Sequence, residues 1–325
     1  MKKIIGIGNA LVDILATLHD DGVLAQLDLP KGGMTLIDDD RLPAIRHAMD
    51  GMPTRRATGG SAGNTMLALA CLGAAPGLIG CVGSDDTGRF FADNADTKGI
   101  SPCLFQSAKP SGTAYTFISP DGERTFGTYL GAAATMTADM LRPELFRGYD
   151  YLYVEGYLVQ NHDLILTAAR MARGEGLKIC LDMASYNIVA ADHDFFALLL
   201  KDYVDIVFAN EEEARAFAGD EPAVALEQLS TLCDIAVVKL GGRGSIVKRG
   251  SELAQAPSTP GGPIVDTTGA GDFYAAGFMY GIANGWALSR CANAGAILAG
   301  HVIRTIGTTM PAEEWQVIKG KIGID

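Results

Sequence analysis

From residue 149 onward the chain alternates short apolar runs with helical patterns, and this rhythm narrows the fold more than any other feature. The runs fall at 151–154, 178–181, 205–208 and 235–240. Helical patterns lie between them, at 163–173, 195–202, 211–217 and 223–232. Runs without polar alternation suit strands buried on both faces, and strand–helix alternation makes such strands parallel. An earlier run, Lys3-Ile4-Ile5-Gly6-Ile7-Gly8, predicts a first central strand. The expected class is α/β, a mostly parallel central sheet with helices on both faces. Such sheets bind ligands beyond the carboxyl ends of their strands, where Asp182, Asn210, Gly241 and Asp266 are expected.

Two other stretches follow a different pattern. Segments about 14–40 and 101–130 carry short half-apolar pieces. One is Ser111-Gly112-Thr113-Ala114-Tyr115-Thr116-Phe117, alternating with period two, before the turn Ser119-Pro120-Asp121-Gly122 and a second strand-like run. This is a hairpin signature, and the two segments together predict a small β-sheet lid inserted into the large body. With no internal repeat or long linker, residues 1–325 are expected to form one domain.

Composition excludes several functions. A net charge of −12 leaves no general basic surface for nucleic acid or an anionic membrane. The six cysteines are scattered, without a Cys-x-x-Cys pair, and the five histidines lack metal-ligand spacing. Asn9 and Asp13 break the first apolar run, so it does not read as a signal peptide, and no stretch reaches membrane-spanning length. A cytoplasmic protein is expected. Gly6-x-Gly8 lacks the third glycine of a dinucleotide fingerprint, because Leu11 stands there, and no Gly-x-x-x-x-Gly-Lys-Ser/Thr loop occurs.

The chemistry concentrates in Asp266-Thr267-Thr268-Gly269-Ala270-Gly271-Asp272, where two glycines turn the chain into a small-residue helix. Unpaired amides and the positive dipole end at such a helix start attract an anion. Asp272 fits two roles there, a dipole partner or a general base for transfer to an alcohol. Thr58-Gly59-Gly60-Ser61-Ala62-Gly63-Asn64 opens a second helix in the same way. Asn9 and Asp13, just past the first strand, suit ligand hydroxyls or simple turn chemistry. Asn210-Glu211-Glu212-Glu213 reads first as a helix cap, and second as a holder of hydrated Mg²⁺. Lys239-Leu240-Gly241-Gly242-Arg243-Gly244 reads as a hairpin turn or a loop under a nucleotide. Gly277, Gly281 and Gly285, with the small residues of 293–300, suit close helix packing or a slot for a flat ring; His301 reads as a packed polar residue.

Two motifs, Gly59-Gly60-x-x-x-Asn64 and Asp266-Thr-Thr-Gly-Ala-Gly-Asp272, make the chain resemble the ribokinase-like (PfkB) family of carbohydrate and nucleoside kinases over nearly its whole length. The resemblance implies ATP-dependent phosphorylation of a primary hydroxyl. It implies Asp272 as base and the amides of Gly269, Ala270 and Gly271 as anion hole. Asn210 and Glu213 match an element associated with Mg²⁺ and phosphate. Lys239, Gly241, Gly244, Thr267, Asn293 and Ala296 fall on the implied ATP side. Asp266, Thr268, Val302, Thr305 and Gly307 match positions that bind a monovalent cation, K⁺, in some members.

Gly8-Asn9-Ala10-Leu11-Val12-Asp13-Ile14 is similar to the adenosine kinase branch. By that likeness Asp13, Gly60 and Asn64 hold ribose hydroxyls, while Asn9, Leu36, Leu130, Ala132 and Tyr157 surround a base. Met34 departs from the polar residue often found there, which keeps a free sugar (ribose, fructose or a keto-deoxy sugar acid) as the alternative acceptor. A non-catalytic ligand-binding protein on the same fold is the reading that loss of Asp272 would have favoured. The expected partners are a small acceptor and ATP, in a monomer or a homodimer formed through the lid.

Overall fold

A computed structural model describes residues 1–219, 221–259 and 261–324. Fourteen strands fall into two sheets. In chain order they are β1 (Ile4–Ile7), β2 (Leu11–Thr17), β3 (Met34–Ile37), β4 (Thr54–Gly59), β5 (Gly77–Gly83), β6 (Ser101–Ser107) and β7 (Gly112–Ile118). There follow β8 (Arg124–Tyr129), β9 (Tyr151–Glu155), β10 (Lys178–Asp182), β11 (Ile206–Asn210), β12 (Ile235–Lys239), β13 (Ser245–Arg249) and β14 (Glu252–Ala256).

The large sheet has the order β14-β13-β12-β11-β10-β9-β1-β5-β6. Its strands from β6 to β12 are parallel, and β13 and β14 close one edge antiparallel. The period-two geometry of a strand divides its apolar residues between two cores. Tyr151 and Tyr153 of β9 pack beneath the helices Ser61–Cys71, Ala270–Ala283 and Leu288–Val302. Leu152 and Val154 face the opposite core, shared with His162–Gly174, His193–Asp202 and Pro222–Ser230. Both faces are covered, which is why these strands read as unbroken apolar runs.

The smaller sheet has the order β3-β8-β7-β2-β4 and a core of its own around Leu24, Ile45, Phe117 and Tyr129. The expected hairpin is β7–β8, closed by Gly122 at φ 88° with its amide 2.9 Å from the Ser119 carbonyl. Two boundaries differ from the sequence reading. β6, inside the segment 101–130, is the edge of the large sheet, whereas β4, outside both expected segments, lies in the small one. An exposed edge strand carrying Arg55 and Arg56 shows no apolar pattern from which to be read.

One further expectation is corrected, and one open choice is decided. Asp266 is not at a strand end: the chain before it is irregular, and the amides of Val265 and Asp266 both donate to the Ile303 carbonyl, at 2.8 and 3.1 Å. The small-residue stripe is a helix contact rather than a slot. A Cβ on Gly277 would lie 2.6 Å from the Ala294 carbonyl oxygen, and one on Gly295 would lie 2.8 Å from that of Tyr274. Among the described residues no helix is long and apolar enough to cross a membrane.

Candidate active site

The two glycine-rich helix starts meet each other. Gly269, at φ 75°, is the cap of the helix Ala270–Ala283 and turns Asp272 toward the start of Ser61–Cys71. Ser61 Oγ donates to Asp272 Oδ1 at 2.7 Å, and Asn64 Nδ2 donates to Oδ2 at 2.9 Å. Thr65 Oγ1 reaches the Asp272 carbonyl at 3.3 Å. The turn folds the Ala270 amide back onto the Thr267 carbonyl at 3.2 Å. Among the described residues the amides of Gly269, Gly271 and Asp272 have no partner, so of the expected set only that of Ala270 is engaged. Lys239 Nζ overhangs them, 3.2 Å from where a Gly271 Cβ would stand, and pairs with Asp182 Oδ2 at 3.0 Å.

The charges here are strongly coupled to burial. Burial pushes Asp272 up to about 6; Ser61 and Asn64 pull against the rise, Asp182 adds to it and Lys239 opposes it. Burial, with Asp272 and Asp266 as negative neighbours, raises Asp13 to about 7. Burial lowers and nearby carboxylates raise the Lys239 ammonium; Asp182, Glu213 and Asp272 together win, so it stays charged. The site is thus a cluster of acids held against one central cation.

On the acceptor side, Asp13 of β2 lies against Gly59, where a Cβ would stand 2.5 Å from its Oδ1. Among the described residues it has no donor, and the Asn64 Oδ1 is buried without a partner. Gly60, at φ 83°, lets this turn pass so near the Asn9 carbonyl that a Cβ would collide with it. Asn9 Nδ2 donates one N–H to buried Glu155 Oε1 at 2.7 Å, while the Ala62 amide donates to Glu155 Oε2 at 3.0 Å. Burial raises Glu155 to about 7. Tyr157 stands partly open in the turn Gly156–Gln160 and is raised to about 12 by burial, Glu155 and Asp272. Ala132 is fully buried, and Leu130 caps the short helix Gly131–Thr135 beside it. Met34 and Leu36, 55% and 58% exposed, project from the edge strand β3.

On the nucleotide side, Asn210 and Glu213 form a capping box. Glu213 N donates to Asn210 Oδ1 at 2.8 Å; Asn210 N and Nδ2 each donate to a Glu213 carboxylate oxygen at 2.7 Å. The capping reading describes this geometry: burial is the main cause that raises Glu213 to about 7, and each of its oxygens takes one of these donors, which does not exhaust its lone pairs. An ion carried on ATP phosphates would meet this carboxylate through its own waters. Gly241 and Gly244, at φ 55° and 94°, shape the loop after Lys239, and Thr267 is exposed on the turn before Gly269. Ala296 is packed in the core, and Asn293 is exposed in a groove with Arg290, Ile297 and Ile322.

The expected cation residues do meet, but around a different charge. Asp266 Oδ1 accepts from Thr268 N (3.0 Å) and Thr268 Oγ1 (2.8 Å), and Oδ2 accepts from Gly307 N (2.7 Å) and from Arg124 of β8. Thr305 Oγ1 donates to the Val302 carbonyl at 2.9 Å, with the Gly307 carbonyl 3.2 Å away. With the carboxylate saturated and neutralised, these residues do not fit a monovalent cation. Ser61, Arg124, Glu155 and Asp182 are the site residues to which the sequence reading gave no role. Asp182 alone had a signal, as the end of an apolar run.

Comparison with known proteins bears on the family. Residues 32–315 match the family described as pfkB family carbohydrate kinase. Adenosine kinase 2 of Arabidopsis thaliana is 26% identical over 332 residues, covering 95% of each chain. The adenosine kinase structure from Sinorhizobium meliloti superposes with a TM-score of 0.87 at 34% identity, covering 98% of this chain and 99% of that one. A probable sugar kinase from Rhizobium etli CFN 42 gives the same TM-score at 31% identity, covering 99% of each. With the match spanning most of its length, the chain belongs to the pfkB family of carbohydrate kinases and is an ATP-dependent nucleoside or sugar kinase.

Proposed function

We propose that the chain phosphorylates the primary hydroxyl of an adenosine-like nucleoside, with Asp272 as general base. The observation that carries this is the Asp272 carboxylate, fixed by Ser61 and Asn64 beside the open amides of its helix and beside Lys239. The acceptor hydroxyl gives its proton to Asp272 as its oxygen bonds to the γ-phosphorus of ATP. The bond from that phosphorus to the bridging oxygen breaks, and ADP leaves. The amides of Gly271 and Asp272 and the Lys239 ammonium meet the charge on the transferring group. Mg²⁺ enters with the ATP phosphates.

The nucleoside reading is supported by Asn64 Oδ1, buried without a partner among the described residues, and by the part-buried carboxylate of Asp13 nearby. Both call for O–H donors, and the two ring hydroxyls of a ribose supply them. Met34, Leu36 and Tyr157 offer apolar and aromatic surface to a flat base, and the small sheet serves as the lid that carries the first two. One observation favours the bare-sugar alternative: Glu155 already takes one N–H of the Asn9 amide, leaving less of it to face a base.

ADP formation measured against a panel of nucleosides and free sugars separates the two. Adenosine turning over best supports the proposal, ribose or fructose turning over best replaces it, and no stimulation by any acceptor refutes it. General-base assistance accounts for about 10²–10⁴ in rate. Asp272→Asn is therefore expected to lower kcat by at least about 10² while ATP affinity, read by calorimetry, stays near wild type. Near-normal turnover would remove the base from the mechanism.

A further inference from the structure

Asp266 begins the turn that ends in Asp272, and through Thr268 it sets the course of that turn. Its side chain is 4% exposed, so its negative charge must be met inside the protein. A carboxylate has about four lone-pair sites. Here four donors fill them: Thr268 twice, Gly307, and the guanidinium of Arg124, itself only 11% exposed. The neighbouring Thr305 hydroxyl is turned onto the Val302 carbonyl, so a second oxygen of the expected ligand set is engaged as well. Asp13 lies within the field of both Asp266 and Arg124, which places this pair at the rim of the acceptor site.

We propose that Arg124 is a built-in cation for Asp266, so that this kinase needs no monovalent ion to order its catalytic turn. A guanidinium cannot be deprotonated in a protein, and its fork fixes orientation as well as charge. A K⁺ ion brought to the same carboxylate would meet Arg124 as a like charge and find no vacant carboxylate oxygen. Arg124 is the first residue of β8, so the small sheet itself delivers the charge and ties its own position to the turn.

The test exchanges the purified full chain into tetramethylammonium chloride, then adds KCl or NaCl at matched ionic strength. Melting temperature is read without substrates, and phosphotransfer with ATP and the best acceptor. The wild type is expected to show no change in either with KCl. Arg124→Met, which keeps the aliphatic stem, is expected to lose activity in tetramethylammonium and to regain at least about tenfold with KCl. Its melting temperature should rise with KCl as well. Arg124→Lys, which keeps the charge, should stay indifferent to KCl. Activation or thermal stabilisation of the wild type by KCl would overturn the proposal, as would an Arg124→Met protein that folds but gains nothing from KCl. The activity arm rests on the kinase reading; the melting arm does not, so a failed acceptor screen leaves the cation question decided by melting alone.

Discussion

A base that takes a proton near neutrality must be sheltered from water yet given enough donors to stay charged. Asp272 meets both demands: burial lifts it to about 6, and Ser61 and Asn64 hold the ionised form. A raised value means that acidification removes the active form sooner than for an ordinary Asp. kcat/KM is expected to rise with pH through about 6, falling roughly tenfold per unit below it. Asp13, raised to about 7, adds a second rise if its ionised form accepts the ribose hydroxyls. A pH–rate profile from 5 to 9 checks this, and a flat profile through that region would remove Asp272 from proton transfer. Asp272 itself was legible, because a glycine turn before a carboxylate is a local pattern. Ser61, Glu155 and Arg124 were not, since each acquires its role from a partner more than ninety residues away. Glu213 shows the opposite difficulty, as one local pattern served two readings and the capping geometry engages each of its oxygens once.

The helices Ala270–Ala283 and Leu288–Val302 act as a unit. Gly277 and Gly295 bring their backbones so close that each Cβ position is filled by the other helix's carbonyl groups. Because the first of these helices presents Asp272, its depth in the pair sets where the carboxylate stands. Gly277→Val is expected to cost about 1–3 kcal/mol by overpacking, read as a fall in denaturant midpoint. It should also weaken kcat, although Gly277 touches no substrate. A variant as stable and active as wild type would mean that the pair slides apart freely. Among elements, the buried parallel strands were legible from their apolar runs and β7–β8 from its alternation and turn. β13 was legible as the far arm of the hairpin after Lys239, but β6 and β14 were not: β6 carries no run distinct from the hairpin beside it, and β14 is a short strand with polar and charged outer residues.

At the scale of the whole molecule, α/β architecture followed from the rhythm of the chain, but the membership of the two sheets did not. Sheet order depends on which edges remain open after the helices have packed, and no local pattern records that. β2, β3, β4 and the β7–β8 hairpin come from separated stretches of the chain, yet they assemble one sheet. The contact that makes the site, Asn64 to Asp272, spans 208 residues, and its companion from Ser61 spans 211. Pairings that distant must close a large loop before they return any free energy, so they form late. Refolding after dilution from urea is therefore expected to restore far-ultraviolet circular dichroism before it restores phosphotransfer. A stopped-flow trace in which both recover together would refute that order. During synthesis the consequence is temporal: until residues near 272 have left the ribosome, Ser61 and Asn64 have no carboxylate to hold, and catalytic competence waits on that late segment.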